Sequence, residues 1–336
     1  MHNLTKNIGR SRVPKNISPG VTVEINRVLI CRPNHRLGNL LLITPLLQEV
    51  IAAFPASKID LVVQGGLAPI LFENYDNVDK IIQLPKKPFE NLMIYFRQFM
   101  TFKKQKYDMA INAVHTSSSG KLYTLFANAK YKIFNEVDIE FHSSFEDHEH
   151  IAKYQVYSFR NYIAMLGHGK NKKPVASINL KLSPSEIALG QNTLKEIVNN
   201  EKKTISIFTF ATDDKCHSES WWEEFYDKLK AQHPTHNIVE VLPIENVSQI
   251  AFKAPTFYSK DIRLITAVIA NTEVFIGADS GIMHLASSAQ VPVIGLFSRD
   301  NQNVYQPFGN NSLVVNTNAI DIDGCLKILR NILIKQ

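Results

Sequence analysis

The chain has little cysteine and no long uninterrupted apolar run. Its three cysteines, Cys31, Cys216 and Cys325, lie far apart and lack the paired spacing of zinc ligands, which excludes a disulfide framework and a cysteine metal centre. Such usage is typical of a reducing compartment. The first 25 residues hold four basic side chains but no apolar core, so we expect neither a secretory signal nor a membrane anchor there.

The most apolar segment, Leu40 to Phe54, is shorter than the roughly 20 residues needed to span a bilayer. Pro45, Gln48 and Glu49 interrupt it, so we interpret it as a core helix. Acidic side chains are the minority, 31 against 37 basic ones, for a formal net charge of +6 and a pI near 9.0. This excess favours acidic partners, whether an anionic membrane face, a phosphorylated glycolipid or a nucleic acid, and charge alone does not choose among them.

Short strand-like runs alternate with helical ones from Arg27 onward, which predicts an α/β architecture with parallel sheets covered on both faces. For 336 residues, 45% hydrophobic and 20% charged, we expect two globular domains of about 150 residues each. The predicted strands are 27–32, 58–64, 78–84, 107–113, 130–134, 204–210, 237–242, 274–277 and 291–297. The predicted helices are 39–54, 89–104, 151–166, 184–199, 219–232, 261–270, 281–289 and 320–334.

One polar segment, Gly167 to Pro174, clusters Gly, Lys, Asn and Pro without an apolar period and is the predicted linker. We therefore divide the chain into an N-terminal arm (1–26), a first domain (27–170), a second domain (175–318) and a final helix (319–336). Two similar α/β halves are expected to hold a ligand in the cleft between them, facing the carboxyl ends of the strands.

The most informative segment is Val274 to Phe297, VFIGADSGIMHLASSAQVPVIGLF. A buried strand is followed by a tight turn and by a helix that begins near Gly281, whose missing side chain lets a phosphate approach closely. Free N–H groups at a helix start and the helix dipole favour an anion, so the turn suits a diphosphate. The alternative is that Asp279 or Ser280 only caps the helix. As a lone residue, His284 is more often a core histidine than a ligand contact.

A second glycine-bearing turn follows the first predicted strand, in RVLICRPNHRLGNLLLITPLLQEVIAAFP. It places Arg36, Gly38 and Asn39 at the carboxyl end of that strand. The alternative is an ordinary strand-to-helix connection with Asn39 as the helix N-cap. The rival enzyme class is a nucleotide-sugar epimerase or a dehydrogenase built on similar sheets. The sequence disfavours it, because the G-x-G-x-x-G turn of a dehydrogenase needs more glycine than the single one in RPNHRLGN.

These segments resemble glycosyltransferase family 9, the ADP-heptose:lipopolysaccharide heptosyltransferases. GADSGIMHLASSAQVPVIGLF is similar to the family's D-[ST]-G-x-x-H-x-x-A pattern with its Val-Pro strand, and the first turn is similar to R-x-G-D-x-[LIV]-x-[ST]-x-P. The resemblance covers nearly the whole chain from about Arg27. It implies an α/β GT-B fold, in which two Rossmann-like doubly wound domains face a central cleft and the final helix packs back on the first domain.

The resemblance also implies which residues bind the donor. Those implied at the donor diphosphate and sugar are Asp279, Ser280, Gly281 and Ile282, with His284 in support. A weaker match in ISIFTFATDDKCHSESWWEEF implies diphosphate contacts by Thr209, Thr212 and Lys215, although the family's Pro-Gly turn is replaced there. The Lys215 ammonium would stabilise the leaving nucleotide, and the alternative is a solvated surface lysine. Glu245 stands where the family has an acidic residue near the nucleoside ribose, and the alternative is that it is a surface acid in a loop.

Acceptor contacts are expected from Arg36 and Gly38, and from His148 and His150 in a polar tract before the predicted helix 151–166. The spacing of that tract matches no zinc pattern, so we predict no metal there. No cofactor is expected either, because backbone amides and Lys215 would supply the positive field that the diphosphate needs.

The function that the resemblance implies is inverting, metal-independent transfer of a heptose or related sugar. The donor would be a nucleoside-diphosphate sugar, with ADP-heptose expected, and the acceptor a lipopolysaccharide core or similar phosphorylated glycolipid. A cytoplasmic location with peripheral contact at the inner face of the inner membrane is implied. No nucleic-acid partner is expected, since no recognition module is visible.

One position departs from the family pattern. Asn39 stands where the family has the aspartate taken as catalytic base, and an amide does not accept a proton at neutral pH. His35, whose ordinary pKa is about 6.5, is the predicted substitute base. The alternative function is therefore a non-catalytic relative that binds a nucleotide sugar or a glycan.

Overall fold

The computed structural model describes residues 9, 11, 23–85, 90, 92–135 and 143–334. The chain divides into two compact units, Met1–Ala176 and Ser177–Gln336, each built on one parallel sheet. Their boundary lies two residues beyond the predicted linker, in a segment from 168 to 183 without helix or strand. Within the described ranges, no helix combines the length and apolarity that crossing a membrane requires.

Most of the predicted N-terminal arm lies outside the described residues. Of positions 1–26, the structure describes 9, 11 and 23–26. The hydroxyl of Ser11 accepts a hydrogen bond from the Phe134 amide at 2.9 Å, so this point of the arm is docked beside the end of the first sheet.

The first unit contains a five-stranded sheet in the order β3-β2-β1-β4-β5, with every neighbouring pair parallel. Its inner strands are apolar almost throughout because helices cover both faces of a parallel sheet. Its elements are β1 (Arg27–Cys31), α1 (Leu37–Leu41), α2 (Thr44–Ala53), β2 (Lys58–Gln64), α3 (Ala68–Leu71), β3 (Val78–Leu84), α4 (Leu92–Lys104), β4 (Lys106–Asn112), α5 (Ser118–Phe126), β5 (Asn128–Ile133) and α6 (Ile151–Met165).

The second unit contains a six-stranded parallel sheet in the order β11-β10-β9-β6-β7-β8. Both strand orders are those of Rossmann-like sheets, which confirms the predicted fold class. Its elements are α7 (Pro184–Val198), β6 (Thr204–Phe208), α8 (Glu219–Gln232), β7 (Asn237–Val241), β8 (Thr256–Phe257), α9 (Ile262–Ile269), β9 (Val274–Ala278), α10 (Gly281–Ser288), β10 (Val293–Phe297), α11 (Gln302–Tyr305), β11 (Leu313–Asn316) and α12 (Ile322–Ile334).

The predicted helix 39–54 is two helices, α1 and α2, with a break at 42–43. Pro45 explains the break, because proline has no N–H to continue a helix but fits well in the first turn of a new one. Five elements were not predicted. The helix α5 has a serine- and glycine-rich start that suggests a turn, and the helices α3 and α11 and the strands β8 and β11 are short.

The final helix contributes its apolar face to the core of the second unit. One face of α12 is buried in the core of the second unit, together with side chains of β6, β7, β9 and β10. These helical residues recur every three or four positions, which is the spacing of a single apolar stripe: Ile322, Cys325, Leu326, Leu329 and Ile332. The apolar face of α12 is therefore buried in its own unit, and packing of this helix on the first domain stays a prediction.

Candidate functional site

The predicted donor residues meet where the strand order of the second sheet reverses. β6 and β9 are adjacent, and the chain leaves them toward opposite sides of the sheet. Loops that follow such a pair of strands form a crevice at the carboxyl edge, where ligands of open α/β sheets bind. The loop 209–216 follows β6 and the turn 279–280 follows β9, so the fold brings Lys215 and Asp279 together.

Lys215 and Asp279 form an ion pair with 2.6 Å between the ammonium nitrogen and a carboxylate oxygen. The lysine side chain is 26% exposed and the aspartate side chain 8% exposed, so the pair is partly accessible from one side. The amide nitrogen of Asn301, in the loop after β10, lies 3.4 Å from the same carboxylate oxygen. The loops after three neighbouring strands, β6, β9 and β10, thus contribute side chains to this point of the sheet edge.

A second set of contacts joins the loops after β6 and β10. The hydroxyl of Ser298 donates to the carbonyl of Asp214 at 3.1 Å, and the Arg299 guanidinium pairs with the Asp214 carboxylate. Asp214 belongs to the short 3₁₀ turn Asp213–Lys215, so these contacts hold the turn that carries Lys215. The position of the lysine is therefore determined by neighbours on both sides.

The helix α10 begins directly after Asp279 and points its N-terminus at the same edge. Ser280 is its N-cap and accepts a hydrogen bond from the Met283 amide at 3.2 Å. The structure thus confirms the alternative that Ser280 caps the helix. The amides of Gly281 and Ile282 lie in the first turn, where the helix offers no carbonyl acceptor, and they can therefore bind an anion. Both residues are half-buried, whereas His284 is 4% exposed and packs inside the unit.

Thr209 does not point its hydroxyl toward solvent. It is 1% exposed, donates to Glu240 Oε1 at 2.6 Å and accepts from the Gln249 amide at 3.2 Å. Donation to a diphosphate would require this hydroxyl to give up its bond to Glu240, because a hydroxyl has a single proton to donate. Thr212 is exposed and lies just before the turn Asp213–Lys215.

The buried acid near this edge is Glu240, not Glu245. Glu240 is fully buried on β7 and accepts a second hydrogen bond from Ser248 Oγ at 2.7 Å. Burial raises the pKa of Glu240, against the lowering effect of hydrogen bonds from Thr209 and Ser248. Glu245 is exposed in the loop beyond β7. The sequence analysis missed Glu240, although an acid inside the apolar strand NIVEV is a signal that could have identified it.

The loop after β1 lies at the corresponding point of the first sheet, where β1 and β4 are adjacent. Asn34 organises it, since its side-chain oxygen accepts from the Arg36 amide at 2.9 Å and from Asn39 Nδ2 at 3.3 Å. Asn39 is not an N-cap, because α1 begins two residues earlier with Arg36 as its N-cap. His35 and Arg36 are exposed, and Gly38 is buried.

The two histidines of the polar tract differ in accessibility. His150 is fully buried as the N-cap of α6, and its Nδ1 accepts from the Ala152 amide at 3.2 Å. A ring enclosed in this way does not reach an acceptor, so the predicted contact by His150 is disfavoured. His148 is half-buried with its Nδ1 2.8 Å from the Phe145 carbonyl. In the described part of the chain, no His, Cys, Asp and Glu side chains group as metal ligands do.

Comparison with known proteins finds similarity to heptosyltransferases of one family. The model of glycosyltransferase family 9 (heptosyltransferase) matches residues 258–329, which include the Asp279 turn. Lipopolysaccharide heptosyltransferase 3 of Escherichia coli is 23% identical over 302 residues, covering 82% of this chain and 85% of that protein.

Two solved structures share the fold. A family 9 glycosyltransferase from Veillonella parvula aligns with a TM-score of 0.74 at 17% identity, covering 94% of this chain and 99% of the other. The E. coli heptosyltransferase WaaC with ADP aligns with a TM-score of 0.64 at 17% identity, covering 91% and 99%.

Proposed function

We propose that this chain is a member of glycosyltransferase family 9, the heptosyltransferase family, and that it transfers a heptose or a related sugar from an ADP-linked donor to a lipopolysaccharide core. The observation that carries this proposal is the Lys215–Asp279 pair beside the N-terminus of α10, at the reversal point of the second sheet. That position supplies a cation, free amides and a helix dipole within one crevice, which is what a sugar diphosphate requires.

In the proposed donor complex, the amides of Gly281 and Ile282 and the Lys215 ammonium bind the diphosphate. As the sugar departs, negative charge grows on the diphosphate, and these groups stabilise that charge without a metal ion. Asp279 keeps Lys215 in place and, as an acceptor only, suits the hydroxyls of the donor sugar better than the phosphates. ADP is the favoured nucleotide because a similar protein, WaaC, was solved with ADP.

In the proposed reaction, an acceptor hydroxyl attacks the anomeric carbon in one displacement and inverts its configuration. Its proton goes to a base on the loop after β1, and we assign that role to the imidazole of His35. Exposure of His35 and Arg36 leaves both side chains available to an anionic acceptor. We further propose a cytoplasmic reaction at the inner membrane face, where a lipid-linked acceptor would be reached.

A second function is favoured by one observation, the amide at position 39. Asn39 Nδ2 donates to Asn34 Oδ1, so this side chain already acts as a hydrogen-bond donor within the loop. If no other group takes the proton, the chain binds the donor or a glycan without transferring sugar.

Turnover decides between these functions. Purified protein is mixed with ADP-heptose and a lipopolysaccharide truncated in its inner core, and ADP release and acceptor mass are followed with and without a chelator. We expect an acceptor heavier by one heptose and equal ADP release. Donor or glycan binding without any mass increase would support the binding-only function, and absence of both nucleotide and glycan binding would refute both functions.

A further inference from the structure

One segment of the first unit, residues 92–132, is strongly basic. Residues 92–132 carry seven basic side chains and one acid, a net +6 that equals the formal net charge of all 336 residues. The acid, Asp108, is engaged at the start of β1, where its carboxylate accepts from the amides of Asn26 and Arg27. The helices α4 and α5 and the adjoining strands β4 and β5 thus form a strongly basic part of the first unit.

Large apolar side chains are exposed on the same two helices. Met93 on α4 is 87% exposed, and Leu125 and Phe126 at the end of α5 are 39% and 47% exposed. Phe126 stands edge-on to Phe99 with 5.7 Å between ring centroids, and Lys132 Nζ donates to the Leu125 carbonyl at 2.5 Å. The end of α5 is therefore held firmly while its apolar side chains stay in contact with water.

The two helices form one layer on the sheet. Phe99 and Phe102 of α4 lie 6.4 and 5.4 Å from the ring of Tyr123 on α5. Met93, Arg97 and Lys104 are spaced by four and seven residues, which places them on the side of α4 away from Phe102. Lys121 and Leu125 are likewise one turn apart on α5.

We propose that this surface, the basic-apolar face formed by Met93, Arg97, Lys104, Lys121, Leu125 and Phe126, docks on an anionic lipid surface. Basic side chains attract acidic headgroups, and exposed Met, Leu and Phe side chains enter the boundary between headgroups and acyl chains. A nucleic acid would engage the charges, but a phosphate backbone offers nothing to Met93 and Leu125. The inference does not depend on the proposed sugar transfer.

The test is sedimentation of the full chain with vesicles of phosphatidylcholine alone or mixed with phosphatidylglycerol. We expect binding to the mixed vesicles only, weakened by salt, because screening shortens the reach of charge. One basic side chain near an anionic membrane is worth about fivefold in affinity, so Arg97→Glu with Lys121→Glu should weaken binding at least about 20-fold. Leu125→Ser with Phe126→Ser should weaken it at least about tenfold.

Matched controls come from the second unit. Lys202→Glu with Lys230→Glu, and Leu189→Ser with Phe252→Ser, change exposed side chains of the same kinds, and we expect them to leave vesicle binding within about twofold. Phe126→Trp adds a readout of depth: its emission should shift to the blue on mixed vesicles, and that of Leu189→Trp should not. Circular dichroism and melting of each variant verify folding.

Three results would overturn the proposal. They are no binding of the native chain to mixed vesicles at low salt, equal losses in patch and control variants, and no blue shift for Phe126→Trp. If Arg97→Glu with Lys121→Glu abolishes binding of a DNA oligonucleotide while Leu125→Ser with Phe126→Ser leaves vesicle binding unchanged, the face is a general polyanion site and the lipid assignment is wrong.

Discussion

Lys215 Nζ lies 2.6 Å from Asp279 Oδ2 and joins the loop after β6 to the turn after β9. The two residues are 64 positions apart in sequence and meet because β6 and β9 are neighbours in the sheet. A largely buried carboxylate that loses its cation is left with an uncompensated charge. We therefore expect a substitution at either residue to alter the charge of the site.

Replacing either member of this pair should weaken nucleotide binding while the fold is retained. For Lys215→Ala we expect ADP affinity to fall about 10- to 100-fold, because a charge-assisted hydrogen bond is worth about 1.5–3 kcal/mol. The effects of Lys215→Ala and Asp279→Ala should not add, since the residues are in contact. Calorimetric titration of both single variants and the double variant measures this, with exposed Lys202→Ala as the control. Unchanged affinity in both single variants would rule out this donor site.

ADP should stabilise the native chain without a divalent metal. Ligand at about 100 times its Kd adds roughly 2.7 kcal/mol to the free energy of unfolding, and the melting temperature rises accordingly. We expect the same shift with and without a chelator, because Lys215 and the α10 amides supply the positive field. Differential scanning fluorimetry with ADP, UDP and GDP is the measurement. A shift that disappears with the chelator would contradict metal-independent binding.

The loop after β1 offers a test of the proposed base. We expect His35→Ala to lower turnover at least about tenfold, since general-base catalysis contributes about 10²–10⁴-fold. Asn39→Asp should restore or raise turnover, but its carboxylate would face Asn34 Oδ1, which also accepts from the Arg36 amide. We therefore expect a stability loss of about 1 kcal/mol for Asn39→Asp.

Comparing turnover with donor affinity separates the two roles of this loop. Lys202→Ala is the control for His35→Ala, because Lys202 is exposed and belongs to neither of the proposed donor and acceptor contacts. Full turnover in His35→Ala would eliminate the substitute base. No turnover in the native chain or in Asn39→Asp, with donor binding intact, would favour the binding-only function.

Glu240 should make stability depend on pH. Its folded-state pKa is raised by burial, so the folded chain binds a proton more readily than the unfolded chain does. The stability contribution of Glu240 therefore falls as pH rises from the ordinary carboxyl range to the raised pKa. We expect urea unfolding across this range to show that, as the pH rises, the free energy of unfolding of Glu240→Gln increases relative to that of the native chain. Exposed Glu245→Gln is the control, and identical slopes for both variants would refute the assignment.

Glu186 should make stability depend on pH in the opposite direction. A hydrogen bond from Arg263 is the main cause that lowers the pKa of Glu186 to about 2, and bonds from the Ser183 amide and hydroxyl add to it against partial burial. A lowered folded-state pKa stabilises the fold above the ordinary carboxyl pKa, and this contribution is lost as pH falls toward about 2.

Glu186→Gln measures that contribution, because glutamine also serves in the capping box at the start of α7. We expect a loss on the order of 2 kcal/mol at neutral pH, allowing for partial exposure, that shrinks as the solution is acidified. Denaturant unfolding at several pH values checks it. Glu196→Gln changes an exposed acid on the same helix and should cost little at any pH. A constant difference for Glu186→Gln would show that charge is not involved.

Local features of the sequence were enough to predict most of the elements. The strands 58–64 and 78–84 and the helix 219–232 were predicted to the residue, because apolar alternation and helical period are properties of neighbouring positions. The turn from Val274 to Phe297 was also predictable, since its glycine, its cap and the strand and helix beside it are all within one segment. Its family pattern then indicated which end of the strand carries the site.

What only the tertiary structure decided are the partners of each polar side chain. Thr209 was predicted at the diphosphate, but the adjacent strand β7 brings Glu240 within 2.6 Å of its hydroxyl and turns it inward. His150 was predicted at an acceptor, yet the packing of α6 encloses it. The apolar stripe of α12 was visible in the sequence, but its burial in the second unit was not. Periodicity identifies a face that must be buried, whereas strand order, a long-range property, determines what that face and its polar neighbours meet.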